Sequence, residues 1–131
     1  HEGYLAMNTK LTLNTAAFAV PQLLEGDPDC AALRHAIADG TVVLKVLPDG
    51  PAVSLVFGSA GARAAKGELP SPDALVLLPD LHVANAFLNG KLDTFAAVAK
   101  GDVQIWGRVD MVDALALVLD RVPRYLAEGG D

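Results

Sequence analysis

The chain has 131 residues, 52% of them hydrophobic but only 5% aromatic, and sixteen Asp and Glu against ten Lys and Arg leave a formal net charge of -6. This length suits one domain with a single core, built here from Ala, Val and Leu as smooth apolar walls. No basic run is present, which excludes nucleic acid as a direct partner and disfavours adsorption to anionic membranes, since both need clustered cations.

Cys30 is the only cysteine, so neither an internal disulfide nor a four-cysteine zinc site can form, in keeping with a reducing cytoplasm. The N-terminus lacks a basic and then apolar leader pattern. The longest apolar run, Ala74 to Leu88, is broken by Pro79, Asp80, His82 and Asn85, so no integral membrane segment is expected. His1 to Ala6, just ahead of Met7, read as an expression remnant, leaving residues 7–131 as one domain of a soluble cytoplasmic protein.

Asn14 or Thr15 is expected to cap a first helix through Ala16, Ala17, Phe18 and Ala19, bent or ended by Pro21. Asp27 is a good N-cap and Pro28 suits a first turn, so a second helix is expected from there to a stop at Gly40. The period then changes from helical to alternating. Thr41 to Leu47 and Ala52 to Phe57 flank the turn Pro48-Asp49-Gly50-Pro51, which predicts a hairpin. Ala62 to Lys66, bracketed by Gly61 and Gly67, forms a third strand, and Ala74 to Leu78, ended by Pro79, a fourth.

Asp80 caps the next helix, with Leu81, Ala84, Phe87 and Leu88 facing the core and Gly90 as its end. Asp93 caps a short helix stopped by Gly101, and Val103 and Ile105 alternate with Gln104 and Trp106 in a fifth strand. A last helix is expected from near Asp110, with Asp113 as capping-box partner, to Val122, where Pro123 kinks or ends it. Met111, Val112, Leu115, Leu117, Val118 and Leu119 make it apolar around most of its circumference, the mark of a helix buried on more than one side.

Gly90, Lys91 and Leu92 form a Gly-Lys-Leu turn, followed by a short helix to Lys100, Gly101, and a strand containing Ile105 and closed by Gly107. This order resembles the sterol carrier protein 2 (SCP2) lipid-binding domains over roughly Thr41 to Leu119. In that family the helix ends in an aromatic-Met-Gln-Gly motif and the strand is Lys-rich; here Val98-Ala99-Lys100 precede Gly101, and Trp106 stands where a Lys usually precedes the closing Gly. The resemblance implies an α+β fold, a five-stranded, mostly antiparallel sheet covered on one face by helices, with an apolar cavity between the layers. It also implies noncatalytic binding, and transfer, of a fatty-acyl, sterol-like or isoprenoid molecule. Burying an alkyl chain gains about 0.8 kcal/mol per methylene, so such binding needs no special polar residue.

The expected lining is Phe87, Leu88, Leu92, Phe95, Val98, Ile105, Met111, Leu115 and Leu119; that these nine form a filled core stands as the alternative. Trp106 is expected on the sheet face without helices, sharing it with Val43, Val56 and Val76, as a contact for a homodimer or a protein partner.

Other chemistry is weakly signalled. Cys30 and His35 lie five apart without a third orienting group or oxyanion loop, and a structural Cys is the better reading, so no enzyme activity is expected. With only His35 and His82 remaining and no clustered carboxylates, neither a metal nor another cofactor is expected. Two functional alternatives stand beside the carrier. One is an accessory or scaffold module of a lipid or quinone pathway acting through protein contacts; the other is an oligomerisation domain related to those attached to hydrolases.

Overall fold

A computed structural model describes residues 2–31, 33–37, 39–58, 61–88 and 93–127, with side chains described from residue 7 onward except at 35, 36, 94 and 95. The first helix, α1, runs Glu2–Gly26, far longer than the sequence suggested. Asn14 is no cap: it sits mid-helix, its amide donating to the Lys10 carbonyl one turn back at 2.9 Å. Pro21 lies inside the helix. An interior proline costs about 3 kcal/mol, but Val20, Leu23 and Leu24 around it are buried, and each such side chain returns about 1.5–3 kcal/mol.

The single helix expected from Asp27 to Gly40 is two short ones, α2 Pro28–Ala31 and α3 Arg34–Ile37. Asp27 does cap, its carboxylate accepting from the Asp29 N–H at 2.9 Å. Leu33 donates to the Cys30 carbonyl at 2.9 Å, a tight turn that lets both Cys30 and Ile37 reach the core.

The five strands are β1 Gly40–Val46, β2 Ala52–Gly58, β3 Gly61–Lys66, β4 Ala74–Leu78 and β5 Gln104–Gly107, ordered β3-β2-β1-β4-β5. Three pairings are antiparallel and the central β1–β4 pairing is parallel. Register makes the two faces explicit. Val53, Leu44, Val76 and Ile105 stand in one cross-sheet row, and Ala65, Ser54, Val43, Leu75 and Trp106 in the adjacent one. Successive residues point to opposite faces, so these rows lie on opposite sides. The first belongs to the core, beneath α1 on β2 and β3 and α6 (Val109–Leu119) on β4 and β5.

The parallel pairing forces the chain to travel from the β3 edge across β2 and β1 to β4. Residues 67–73 make this crossing as a strap over the face that bears no helix. Ser54, fully buried on that face, donates to the Gly67 carbonyl at 2.8 Å and accepts from the Leu69 N–H at 3.0 Å. Lys45 pairs with Glu68 at 3.0 Å. At the far end the Asp73 carboxylate accepts from the Thr41 N–H at 2.8 Å, while its carbonyl accepts from Arg108 N–H at 3.0 Å. Gly107, with φ +91°, lies so close that a Cβ there would come within 2.2 Å of the Asp73 carbonyl oxygen. The closing glycine of the strand is thus a steric requirement.

Asp80 and Asp93 cap α4 (Leu81–Leu88) and α5 (Thr94–Lys100) through the Val83 and Ala96 N–H groups, and Gly101 ends α5 in a left-handed conformation. The capping box at Asp110 is absent: α6 begins at Val109 with Arg108 as N-cap, and Asp110 pairs with Arg108 at 3.6 Å. The helix stops at Leu119, and Pro123 falls in the first turn of α7 (Val122–Ala127), where a missing N–H costs nothing. No described helix is long and apolar enough to cross a membrane.

Ser54→Ala removes the hydroxyl that holds the strap and leaves the Gly67 carbonyl and the Leu69 N–H, both in part-buried hydrogen bonds, with one partner fewer. It is expected to cost about 1–3 kcal/mol in urea unfolding and to raise hydrogen exchange at the Leu69 amide above that of the β1 amides.

Candidate functional site

A cleft of about 350 Å³ opens between the helical layer and the sheet, at the end where α1 gives way to α2 and α3. Its apolar surfaces come from Pro21 and Leu24 of α1, Ala31 and Ile37 of the short helices, and Phe57 and Ala62 of β2 and β3. Phe57 and Ala62 are register partners on the helical face, so the sheet forms one wall and α1 the other. Glu25, Arg34 and Asp39 stand at the rim. Sequence reading missed all of these as site residues. The available signals were the apolar termination of the β2 alternation at Phe57 and the Asp27-Pro28 break after α1.

Of the nine residues expected to line a cavity, Phe87, Leu88, Met111, Leu115 and Leu119 are buried in the core, and Ile105 packs against it half-buried. Val98 is exposed. The side chains of Leu92 and Phe95 lie outside the described ones, as do Gly90 and Lys91 altogether. Leu88 also floors a groove of about 210 Å³ between α1 and α7, with Leu11, Ala16, Val122 and Leu126 on its sides.

Trp106 is 62% exposed on the face without helices, and its cross-strand neighbour there is Leu75. Val43 and Val56 share that face by register, Val43 fully buried and Val56 half-buried. Val76 does not. It pairs with Ile105 and Leu44, is fully buried and belongs to the helical side. Its face is fixed by the register of a parallel pairing with β1, which local alternation does not reveal.

No protein-family model and no curated protein matches the chain. Among solved structures, the ubiquinone synthesis protein UbiJ-SCP2 superposes with a TM-score of 0.59 at 15% identity, over 93% of each chain. A crystal structure of sterol carrier protein 2 gives 0.60 at 23% identity, over 84% of this chain and 94% of its own. Sterol carrier protein 2 from Yarrowia lipolytica, in its apo form, gives 0.61 at 14% identity, over 85% of this chain and 88% of its own. The fold is that of SCP2.

Within this SCP2 fold a second cleft, of about 410 Å³, lies where α7 meets the α1–α2 junction. Here Arg121 pairs with Asp29 at 2.6 Å and with Asp27 at 3.4 Å, and the Tyr125 hydroxyl donates to the Gln22 side chain. The polar groups of this junction are turned toward one another and tie the chain's C-terminal part to α2. Behind it Cys30 is only 1% exposed. Burial, reinforced by the Asp27 carboxylate and opposed by Arg121, raises its thiol above the ordinary value of 9.0. A thiol so placed is a poor nucleophile at neutral pH, and the side chain of His35 is outside the described ones.

The sign of this shift sets a pH dependence. The folded state favours the neutral thiol, so its contribution is complete below the unfolded-state value and declines as pH climbs through the folded-state value. Native protein is therefore expected to react with iodoacetamide at pH 8 at least about tenfold more slowly than urea-unfolded protein, and to lose stability above pH 9 by an amount that Cys30→Ala abolishes.

Proposed function

We propose that the protein binds, and passes on, a hydrophobic molecule without chemical conversion, holding it in the cleft between α1 and the β2–β3 hairpin. The observation that carries this reading is the vacancy itself, an opening between the two layers walled by Leu24, Ile37 and Phe57. Its volume lies near the lower end of the roughly 300–1,000 Å³ of ligand clefts, which suits a single alkyl or isoprenoid chain. Sixteen buried methylenes would gain on the order of 10 kcal/mol before ordering costs. The sterol carriers that share the fold support a lipid ligand, while the ubiquinone synthesis protein UbiJ-SCP2 is compatible with an accessory role. Of the nine residues expected to line a cavity, the buried Phe87, Leu88, Met111, Leu115 and Leu119 are the proposed extension of the binding volume. A free, buried Cys30 supports a reducing, cytoplasmic setting.

A second reading, an accessory module acting through protein contacts, is favoured by the exposed Trp106 beside Leu75 on the sheet face without helices. The edge strand β5 that carries it has only β4 as sheet neighbour among the described residues. A homodimer through this face fits both readings.

The carrier reading is tested by native mass spectrometry and lipid extraction of freshly purified protein, together with displacement of a bound naphthalene dye by long-chain molecules. Ala62→Trp fills the cleft from the edge strand. It is expected to weaken dye uptake at least about tenfold, the cost of losing one to two kcal/mol of apolar contact, while the urea midpoint stays close to the parent's. Undiminished uptake would remove this cleft as the site.

For the contact reading, light scattering after size exclusion is expected to show Trp106→Glu at a lower oligomeric state than the parent. The same mass for both would dispose of a dimer through β5.

A further inference from the structure

The apolar cleft carries three charges that an alkyl chain does not use. Glu25 in the last turn of α1, Arg34 at the start of α3 and Asp39 just before β1 all line it. All three are exposed, and none makes an ion pair with a described residue. The Asp39 carbonyl accepts from the Arg108 guanidinium at 3.2 Å, which anchors that backbone and leaves the carboxylate at the rim.

The two neighbouring openings differ. In the cleft at the α1–α2 junction Arg121 is taken up by Asp27 and Asp29. The α1–α7 groove is lined by no charged side chain. Of these three openings, the first joins an apolar wall to charges of both signs that form no ion pair with a described residue.

We propose that this mouth selects a single-chain amphiphile with a zwitterionic headgroup, an inference that rests on the carrier reading and names its ligand class. The anionic part of the headgroup pairs with Arg34, the cationic part faces Glu25 and Asp39, and the chain lies along Leu24, Ile37 and Phe57. A fatty acid would satisfy Arg34 but bring a third carboxylate to a rim that already holds two. A simple cationic amphiphile would meet the two carboxylates but set its charge against Arg34. A zwitterion offers each rim charge its opposite. The rim faces water, so each pairing is worth only a modest factor, and the expected preference is about three- to tenfold.

The test is displacement of the naphthalene dye from the full chain, below micelle-forming concentrations, by three amphiphiles of equal chain length: lysophosphatidylcholine, palmitate and a hexadecyl trimethylammonium salt. Lysophosphatidylcholine is expected to displace at the lowest concentration. The double variant Glu25→Gln with Asp39→Asn should turn the order toward palmitate, and Arg34→Gln should turn it toward the cation. These side chains are exposed, so the urea midpoint of each variant should match the parent's. Free phosphocholine should leave the dye in place.

Equal displacement by the three amphiphiles, an order that the variants do not change, or displacement by phosphocholine alone would overturn the proposal. In the first two cases a hydrophobic carrier would remain. If no long-chain molecule displaces the dye, the carrier reading falls and this inference with it.

Discussion

The helical side of the molecule depends on how α1 lies on the sheet. Its inward positions include Thr9, Leu13, Ala16, Ala17 and Val20, all at most 1% exposed, and the alanines let the helix axis approach β2 and β3 closely. The same helix touches α2, α4, α6 and α7, and α3 packs in turn on α6. Because α1 continues through Pro21 to Gly26 before the chain turns, the helical layer is completed at that end by α2, packed on α1, and α3, packed on α6, with four residues each. Two single turns do not fill a layer as a continuous helix does. The cleft lies where they meet α1 and the sheet.

The opposite wall must be fixed for such a gap to keep its shape, and the strap over the far face supplies that rigidity. Val43 is fully buried although it does not belong to the core beneath the helices, so its cover comes from the other side. Ser54 holds the strap over β2, and Asp73 joins its end to both β1 and the β5–α6 junction. The sheet is thereby held between helices and strap over its middle, while the Trp106 edge stays exposed. Phe57 and Ala62 therefore present a wall whose backbone has partners in the ladder, and the other side of the cleft is made by α1, α2 and α3.

Much of this was legible from local pattern. The hairpin turn, the third strand bracketed by Gly61 and Gly67, the Ala74 to Leu78 strand, the aspartate caps at 80 and 93 and the glycine stop at 101 each follow from a few adjacent residues, and each lies where expected. The failures are of a different kind. Pro21 reads as a break because the burial that outweighs it comes from strands forty residues away. Val76 reads as a neighbour of Trp106 because alternation gives two faces and does not say which strand's face joins which. The parallel β1–β4 pairing and the strap it requires are properties of strand order, which no window of local sequence contains. The candidate site was missed for the same reason: Leu24, Ile37, Phe57 and Ala62 are each unremarkable core formers until the topology leaves them facing one gap.

The composition gains a meaning from this placement. A chain with few aromatic residues must close its core with small aliphatic ones, and over most of the molecule it succeeds: Met111, Leu115, Val118 and Leu119 are all at most 2% exposed. The small side chains around the cleft, Ala31 and Ala62 with the Pro21 ring, stand where larger ones would fill it. The gap is thus made by short residues on otherwise well-placed elements, and it lies at the margin of the core on the α1 to α3 side. The buried positions of α1, α4 and α6 make up the helical side of the core, while this opening lies apart from them, between the two short helices and the edge strand β3. Segments with fewer buried contacts open at lower free energy than the core, so the rim of this opening and the centre of the fold are separate in structure.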